Sequence, residues 1–220
     1  MTHDVIKNWD REPRESILSR IGDRVTHTAS LKERLTTAIY RLRIQENRLE
    51  GASLRMQQHD KDVFEKCVRA QMAKDNARAT MYANECAEIR KMAKATLQCQ
   101  LALEQVTLRL ETVREFGEIA SMMGPVASVV RSLRNQIAGI IPEVGFELGE
   151  VSEMLNSVAI EFGEATGQPY DISTSSEEAQ RILNEAAAIA EQKMRERFPD
   201  LPAVAAQPSK DSATRIHLGS

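Results

Sequence analysis

The sequence predicts an all-α protein: a long antiparallel helical hairpin, two shorter acidic helices and a C-terminal helix on a flexible linker. Three observations lead there. From Ala52 to Phe116 the chain has neither Gly nor Pro. Apolar residues recur at alternating steps of three and four, the spacing of a packed helical seam. Only 4% of residues are aromatic against 28% charged, and mean hydropathy is -0.39, which is thin material for a compact core.

Residues 1–28 form an N-terminal segment with balanced charge and breakers at Pro13 and Gly22; a short helix around Glu15–Ile21 fits there. Ser30 with Glu33 has the pattern of a capping box, and predicts the start of the first long helix. Its seam runs Leu35, Ala38, Leu42, Gln45, Leu49, Ala52, Met56. Beside the seam, Arg34, Arg41, Arg48 and Arg55 recur every seven residues as a basic stripe. The polar run His59-Asp60-Lys61-Asp62 is the best candidate for the hairpin turn. A second helix then extends from about Asp62 to Ser121, with a seam of Ile89, Met92, Thr96, Cys99, Leu103, Val106, Leu110 and Val113. Its earlier half is alanine-rich, which suits close approach of a neighbour.

Residues 29–121 thus make a basic hairpin, and 122–165 a region of shorter helices with an acidic, regulatory character. Gly124-Pro125 is expected to break the second helix and start a third, to about Gly139. After Ile140-Ile141-Pro142, a fourth helix is expected to about Glu164. Residues 166–220 comprise a polar linker, a fifth helix capped by Ser175 or Ser176 over about Glu177–Arg197, and a tail with the composition of disorder.

Residues 29–110 carry 15 Lys+Arg and 10 Asp+Glu, a balance of +5; residues 140–220 carry 6 and 14, a balance of -8. Either the two ends meet, or the basic part meets an anionic partner, or the surfaces are simply solvated differently. Cys67, Cys86 and Cys99 lack C-x-x-C spacing and read as free structural thiols of a reducing compartment. No stretch approaches the roughly 18 apolar residues of a membrane span, and the start has no apolar signal core. The expectation is a cytoplasmic protein whose membrane contact is peripheral.

Enzymatic constellations are missing. There is no phosphate-binding G-x-x-x-x-G-K-[ST], no G-x-G-x-x-G and no G-x-S-x-G. None of His3, His27, His59 and His217 follows a Glu by three residues, so the bundle-type metal motif is absent. Catalytic residues, metal and cofactors are therefore all expected to be none. The arginine stripe admits three readings. A solvated face is the usual one. Nucleic acid is disfavoured by the sequence pI of about 5.9 and the lack of interleaved aromatics. An anionic membrane surface fits a broad basic face better. Trp9, the only tryptophan, with Val5 and Ile6, either enters the lipid interface or packs on the hairpin.

Two runs within the hairpin carry a resemblance. The first is Arg41-Leu42-Arg43-Ile44-Gln45-Glu46-Asn47-Arg48-Leu49-Glu50. The second comprises Ala73-Lys74-Asp75-Asn76-Ala77-Arg78-Ala79 and Tyr82-Ala83-Asn84-Glu85-Cys86-Ala87-Glu88-Ile89-Arg90-Lys91. Together with the Ile141-Pro142 break before an acidic helix, this order resembles the ESCRT-III proteins, in particular the archaeal CdvB group of cell-division paralogues. It covers about residues 30–165, with a further match near the C-terminus.

The resemblance implies polymerisation, alone or with related paralogues, into filaments that constrict membrane necks at a division site. It also implies an AAA ATPase of the CdvC type, whose MIT domain grips the C-terminus. The family's tail motif reads acidic-x-x-Leu-x-x-Arg-Leu-x-x-Leu-Lys/Arg; Glu191, Met194, Arg197, Phe198 and Leu201 fall on its positions, with Pro202 where a basic residue belongs. The stretch from Phe198 also resembles the family's extended, proline-containing motif, so both binding modes stay open. The acidic helices are expected to fold back on the basic hairpin and restrain assembly. A membrane-maintenance relative with the same hairpin and a soluble coiled-coil adaptor are the alternatives.

Overall fold

The computed structural model describes residues 17–116, 119–166 and 172–201. Among these residues five helices follow in order: α1 (Ile17–Met72), α2 (Asn76–Phe116), α3 (Ile119–Ile137), α4 (Pro142–Thr166) and α5 (Ile172–Arg197). Among the described residues there is no strand. The chain is all-α, and α1 and α2 form the long antiparallel hairpin that the spacing predicts.

The hairpin is held by its seam. Leu35, Ala38, Leu42, Gln45, Leu49 and Ala52 of α1 are buried, as are Ile89, Thr96, Cys99, Leu103, Val106, Leu110 and Val113 of α2. Met92 departs from the expected seam: it is exposed, and Ala93 takes the buried position beside it. Cys67, Cys86 and Cys99 are buried free thiols.

The turn is not at residues 59–62. α1 continues through them to Met72, and the chain reverses at residues 73–75. There Lys74 N–H donates to Gln71 O (2.9 Å) and Asp75 N–H to Ala70 O (2.9 Å), the paired bonds of a Schellman ending. Lys74 takes the left-handed conformation at φ 59° where glycine is usual, at a cost of about 1 kcal/mol. Asp75 then caps α2, accepting from Arg78 N–H at 3.1 Å. Residues 59–62 stay helical because Asp60 is a buried partner of α2 rather than a solvated turn residue.

Three other boundaries move. Ser30 lies inside α1, which already begins at Ile17; Gly22 weakens a helix by about 1 kcal/mol and does not end this one. α3 already begins at Ile119, so Gly124-Pro125 sits within it rather than opening it. Pro125 forfeits a backbone bond there, about 3 kcal/mol in an isolated helix. The buried Met123, Val126, Ala127, Val129 and Val130 around it offset that loss. α5 begins at Ile172, ahead of the expected Ser175 or Ser176 cap.

Helices α3 and α4 form a tight second hairpin. Ile141 N–H bonds Ile137 O at 2.8 Å, and Pro142 opens α4 at its first position. Gly145 lets the backbones touch: a Cβ there would stand 2.8 Å from Ala138 Cα. α3 packs on α2, α4 on α1, and α5 on both α2 and α3. One continuous apolar cluster takes residues from all five helices, including Leu133, Leu148, Leu155 and Ile182. The regions drawn from sequence at 29–121, 122–165 and 166–220 therefore share a core.

Candidate functional site

The candidate site is the flank of the hairpin on which the C-terminal segment lies. α5 presents Ala179, Ile182, Leu183, Ala186 and Ala190 on one face, and all five are buried. The spacing of three and four makes this face apolar, and the small alanines bring α5 close to α2 and α3. Ion pairs accompany it along α2: Arg109 with Glu178, then Lys94 with Glu191. The hydrogen bond and charge of Lys94 hold the Glu191 carboxyl below its usual range. Since α2 runs away from the hairpin tip, this order carries the C-terminal segment towards it.

The segment ends at Arg90. Its guanidinium binds the Asp60 carboxylate with both arms, Nε to Oδ1 at 2.7 Å and Nη2 to Oδ2 at 3.0 Å. Asp60 is almost wholly enclosed, with 3% of its side chain exposed, and Arg90 with 14%. Nη1 donates to Pro199 O at 2.6 Å. The Phe64 and Phe198 rings lie 5.7 and 5.5 Å from the guanidinium carbon, a cation–π sandwich. Leu201 then packs with Met56, Phe64 and Tyr82 on a small cluster of Val63, Cys86 and Ile89. Asp60 fixes Arg90, and Arg90 holds the Phe198-Pro199 step.

A second contact joins the acidic and basic parts at the other end of the hairpin. Arg34 of α1 pairs with Glu161 and hydrogen-bonds Ser157, both on α4. One member of the predicted arginine stripe is thus engaged within the molecule. Arg41 is half-buried, Arg48 is exposed and reaches Gln45 Oε1 at 3.3 Å, and Arg55 is exposed.

Of the other residues singled out in the sequence, Glu191, Met194, Phe198 and Leu201 are gathered on the docked segment, with Met194 and Leu201 partly buried and Phe198 buried. Arg197 is exposed. Val5, Ile6, Trp9 and Pro202 lie outside the described residues. Sequence reasoning missed Asp60, Phe64 and Arg90 as a unit. The Asp60–Arg90 pair spans 30 positions, and no local spacing announces it. Among the described residues no group of three or more His, Cys, Asp and Glu could hold a metal ion, and no helix is long and apolar enough to cross a membrane.

The Snf7 family model matches residues 37–208 of the chain. The chain belongs to this family, the ESCRT-III proteins. It is 50% identical over 173 residues to Cell division protein B1 of Sulfolobus acidocaldarius, covering 79% of this chain and 81% of the relative. It is 39% identical over 172 residues to Cell division protein B of the same organism, covering 78% and 66%. Cell division protein B3 is 26% identical over 117 residues, covering 53% and 68%. No solved structure matches the chain significantly. The ESCRT-III resemblance of the hairpin runs is borne out, and the Snf7 match extends across the docked C-terminal segment of this ESCRT-III chain.

Proposed function

We propose that this ESCRT-III protein is a structural, non-catalytic subunit of archaeal cell division that polymerises on anionic membrane and is remodelled by an AAA ATPase. It acts with related paralogues at the inner face of the cell membrane. Val5, Ile6 and Trp9 with Arg41, Arg48 and Arg55 face the lipid, and the described structure is the closed form.

One observation carries the reading: the acidic C-terminal part is docked on the basic hairpin. Arg34–Glu161, Lys94–Glu191 and Arg109–Glu178 each join a hairpin cation to an acid from α4 or α5. The same docking covers Met194, Phe198 and Leu201, on the segment that the tail motif assigns to the ATPase. Closure therefore withholds the hairpin flank from neighbouring copies and the tail from its MIT domain. Release supplies both together.

Reversing Lys94→Glu and Arg109→Glu places like charges opposite Glu191 and Glu178. The expected result is more sedimentable polymer and stronger binding of an MIT-domain ATPase, with both reversed by adding Glu191→Lys and Glu178→Arg. If the reversed protein stays as monomeric as the parent, closure by α5 is not what restrains assembly. Met194→Asp or Leu201→Asp should abolish ATPase binding while polymer persists. Arg41→Glu, Arg48→Glu and Arg55→Glu together should abolish sedimentation with anionic liposomes, and retained sedimentation would exclude this face.

A further inference from the structure

Because α1 runs unbroken to Met72, the seven-residue arginine row does not stop at Arg55. Two further heptads bring it, past Asp62, to Arg69 in the last turn of α1. Lys66 and Met72 stand three residues to either side of Arg69, on the same helical face. Lys74 follows in the turn and Arg78 in the first turn of α2. Lys66, Arg69, Lys74 and Arg78 are all exposed. Opposing them within residues 65–81 are only Glu65 and Asp75, and Asp75 already caps α2 and pairs with Arg78.

The same tip exposes large apolar side chains. Met72 is 79% exposed and Met81 55%. No residue between 50 and 96 belongs to the main apolar cluster, and the last described residue of the C-terminal segment, Leu201, packs at the level of Val63 and Cys86. Beyond that level the described residues are two helices meeting through small side chains, Cys67, Ala70 and Ala79.

We infer that the hairpin tip is a second lipid-binding element, in which Met72 enters the interface of an anionic membrane and Lys66, Arg69 and Lys74 contact its headgroups. The inference rests on the membrane reading above and names a site it lacks. Charge and exposure choose the occupant. Four exposed cations stand beside two exposed methionines at the end of a two-helix rod. A fluid anionic surface conforms to it, takes the flexible unbranched thioether and complements the charge. The row through Arg41, Arg48, Arg55 and Arg69 then lies along the membrane, and the rod is pinned at its tip.

The test uses the full chain with Met72→Cys, labelled with an environment-sensitive NBD fluorophore. The three native thiols are buried, so the label goes to the tip. Vesicles contain equal parts phosphatidylglycerol and phosphatidylcholine, with and without nitroxide on the phosphatidylcholine acyl chains. The expected result is brighter, blue-shifted emission on binding and its loss on the nitroxide vesicles. Emission that stays quenched by water while the protein sediments with vesicles overturns the tip site and leaves the membrane reading standing. A protein that does not sediment with vesicles overturns both. Neutralising Lys66→Gln, Arg69→Gln and Lys74→Gln together should weaken vesicle binding about a hundredfold, near fivefold for each residue; unchanged affinity also overturns the site.

Discussion

Replacing Arg90 by methionine separates two jobs that one side chain performs. The substitution keeps the length and apolar stem of the residue and removes its charge. It strands the Asp60 carboxylate, of which 3% of the side chain is exposed, without its bidentate partner. Breaking a buried ion pair by deleting one member costs about 3–5 kcal/mol. It also removes the bond to Pro199 O and the sandwich between Phe64 and Phe198. Those two together contribute about 2 kcal/mol to docking of the C-terminal segment. The double variant Asp60→Leu, Arg90→Met removes both charges, and an apolar replacement of a buried pair is close to neutral. Urea unfolding followed by far-UV circular dichroism should therefore find Arg90→Met destabilised by about 4 kcal/mol, with most of this recovered in the double variant. Hydrogen exchange over residues 191–201 should stay accelerated in both, because neither restores Arg90. A loss below about 1 kcal/mol in the single variant would mean that Asp60 is not an enclosed anion, and the reasoning would fall.

Three more expectations follow from particular contacts. Gly145→Ala pushes a methyl to 2.8 Å from Ala138 Cα, so it should cost about 1–3 kcal/mol in chemical denaturation, where an exposed helical Gly→Ala change would stabilise. Half-buried Glu46 accepts from Thr107, and burial, with Glu104 and Glu111 nearby, raises its carboxyl above the usual value. A raised carboxylate favours the protonated fold, so stability falls as pH rises through its folded value. Glu46→Gln should then stabilise the protein at pH 7, with the gain shrinking as pH drops towards 4.5; a constant gain would point to another cause. Burial lifts the Cys99 thiol to about 12, and burial followed by the Asp60 charge lifts Cys86 to about 11. Alkylation of the native protein at pH 8 should therefore be negligible and should track unfolding, whereas rapid native labelling would show that the seam opens locally.

The hairpin was legible because a seam is a local pattern. The steps from Leu35 to Leu49 and from Cys99 to Val113 declare a helix and its buried face before any partner is known. The turn was hidden because its usual signal is missing: Lys74 occupies the left-handed position where Gly or Asn would announce it. Asp75 as a cap was the available clue, and the polar run at residues 59–62 outshone it. Asp60 and Lys61 look alike on the page, yet one is enclosed and the other exposed. Only the partner at Arg90, 30 residues away, decides between them. Pro125 was misread for a related reason: a local rule set the boundary, and burial on both sides of it overrode that rule. The face of α5 is plain in the spacing of Ala179, Ile182, Ala186 and Ala190, but periodicity names no partner for it.

The opposite balances of the two ends raise the question of what holds the molecule closed. The cross pairs are only partly shielded: Lys94 and Glu191 keep 47% and 44% of their side chains exposed, Arg109 and Glu178 29% and 37%, Arg34 and Glu161 33% and 30%. Pairs of this kind contribute about 0–1 kcal/mol each and weaken in salt. Burial of Ile182, Leu183 and Phe198 is larger, about 1.5–3 kcal/mol for each side chain. Apolar packing therefore supplies most of the closing energy, and charge chooses where the acidic helices land. That division suits a reversible latch. In the function proposed above, an anionic partner that competes for Arg34, Lys94 and Arg109 would remove the guidance, and a neighbouring hairpin would have to offer apolar area to replace the packing.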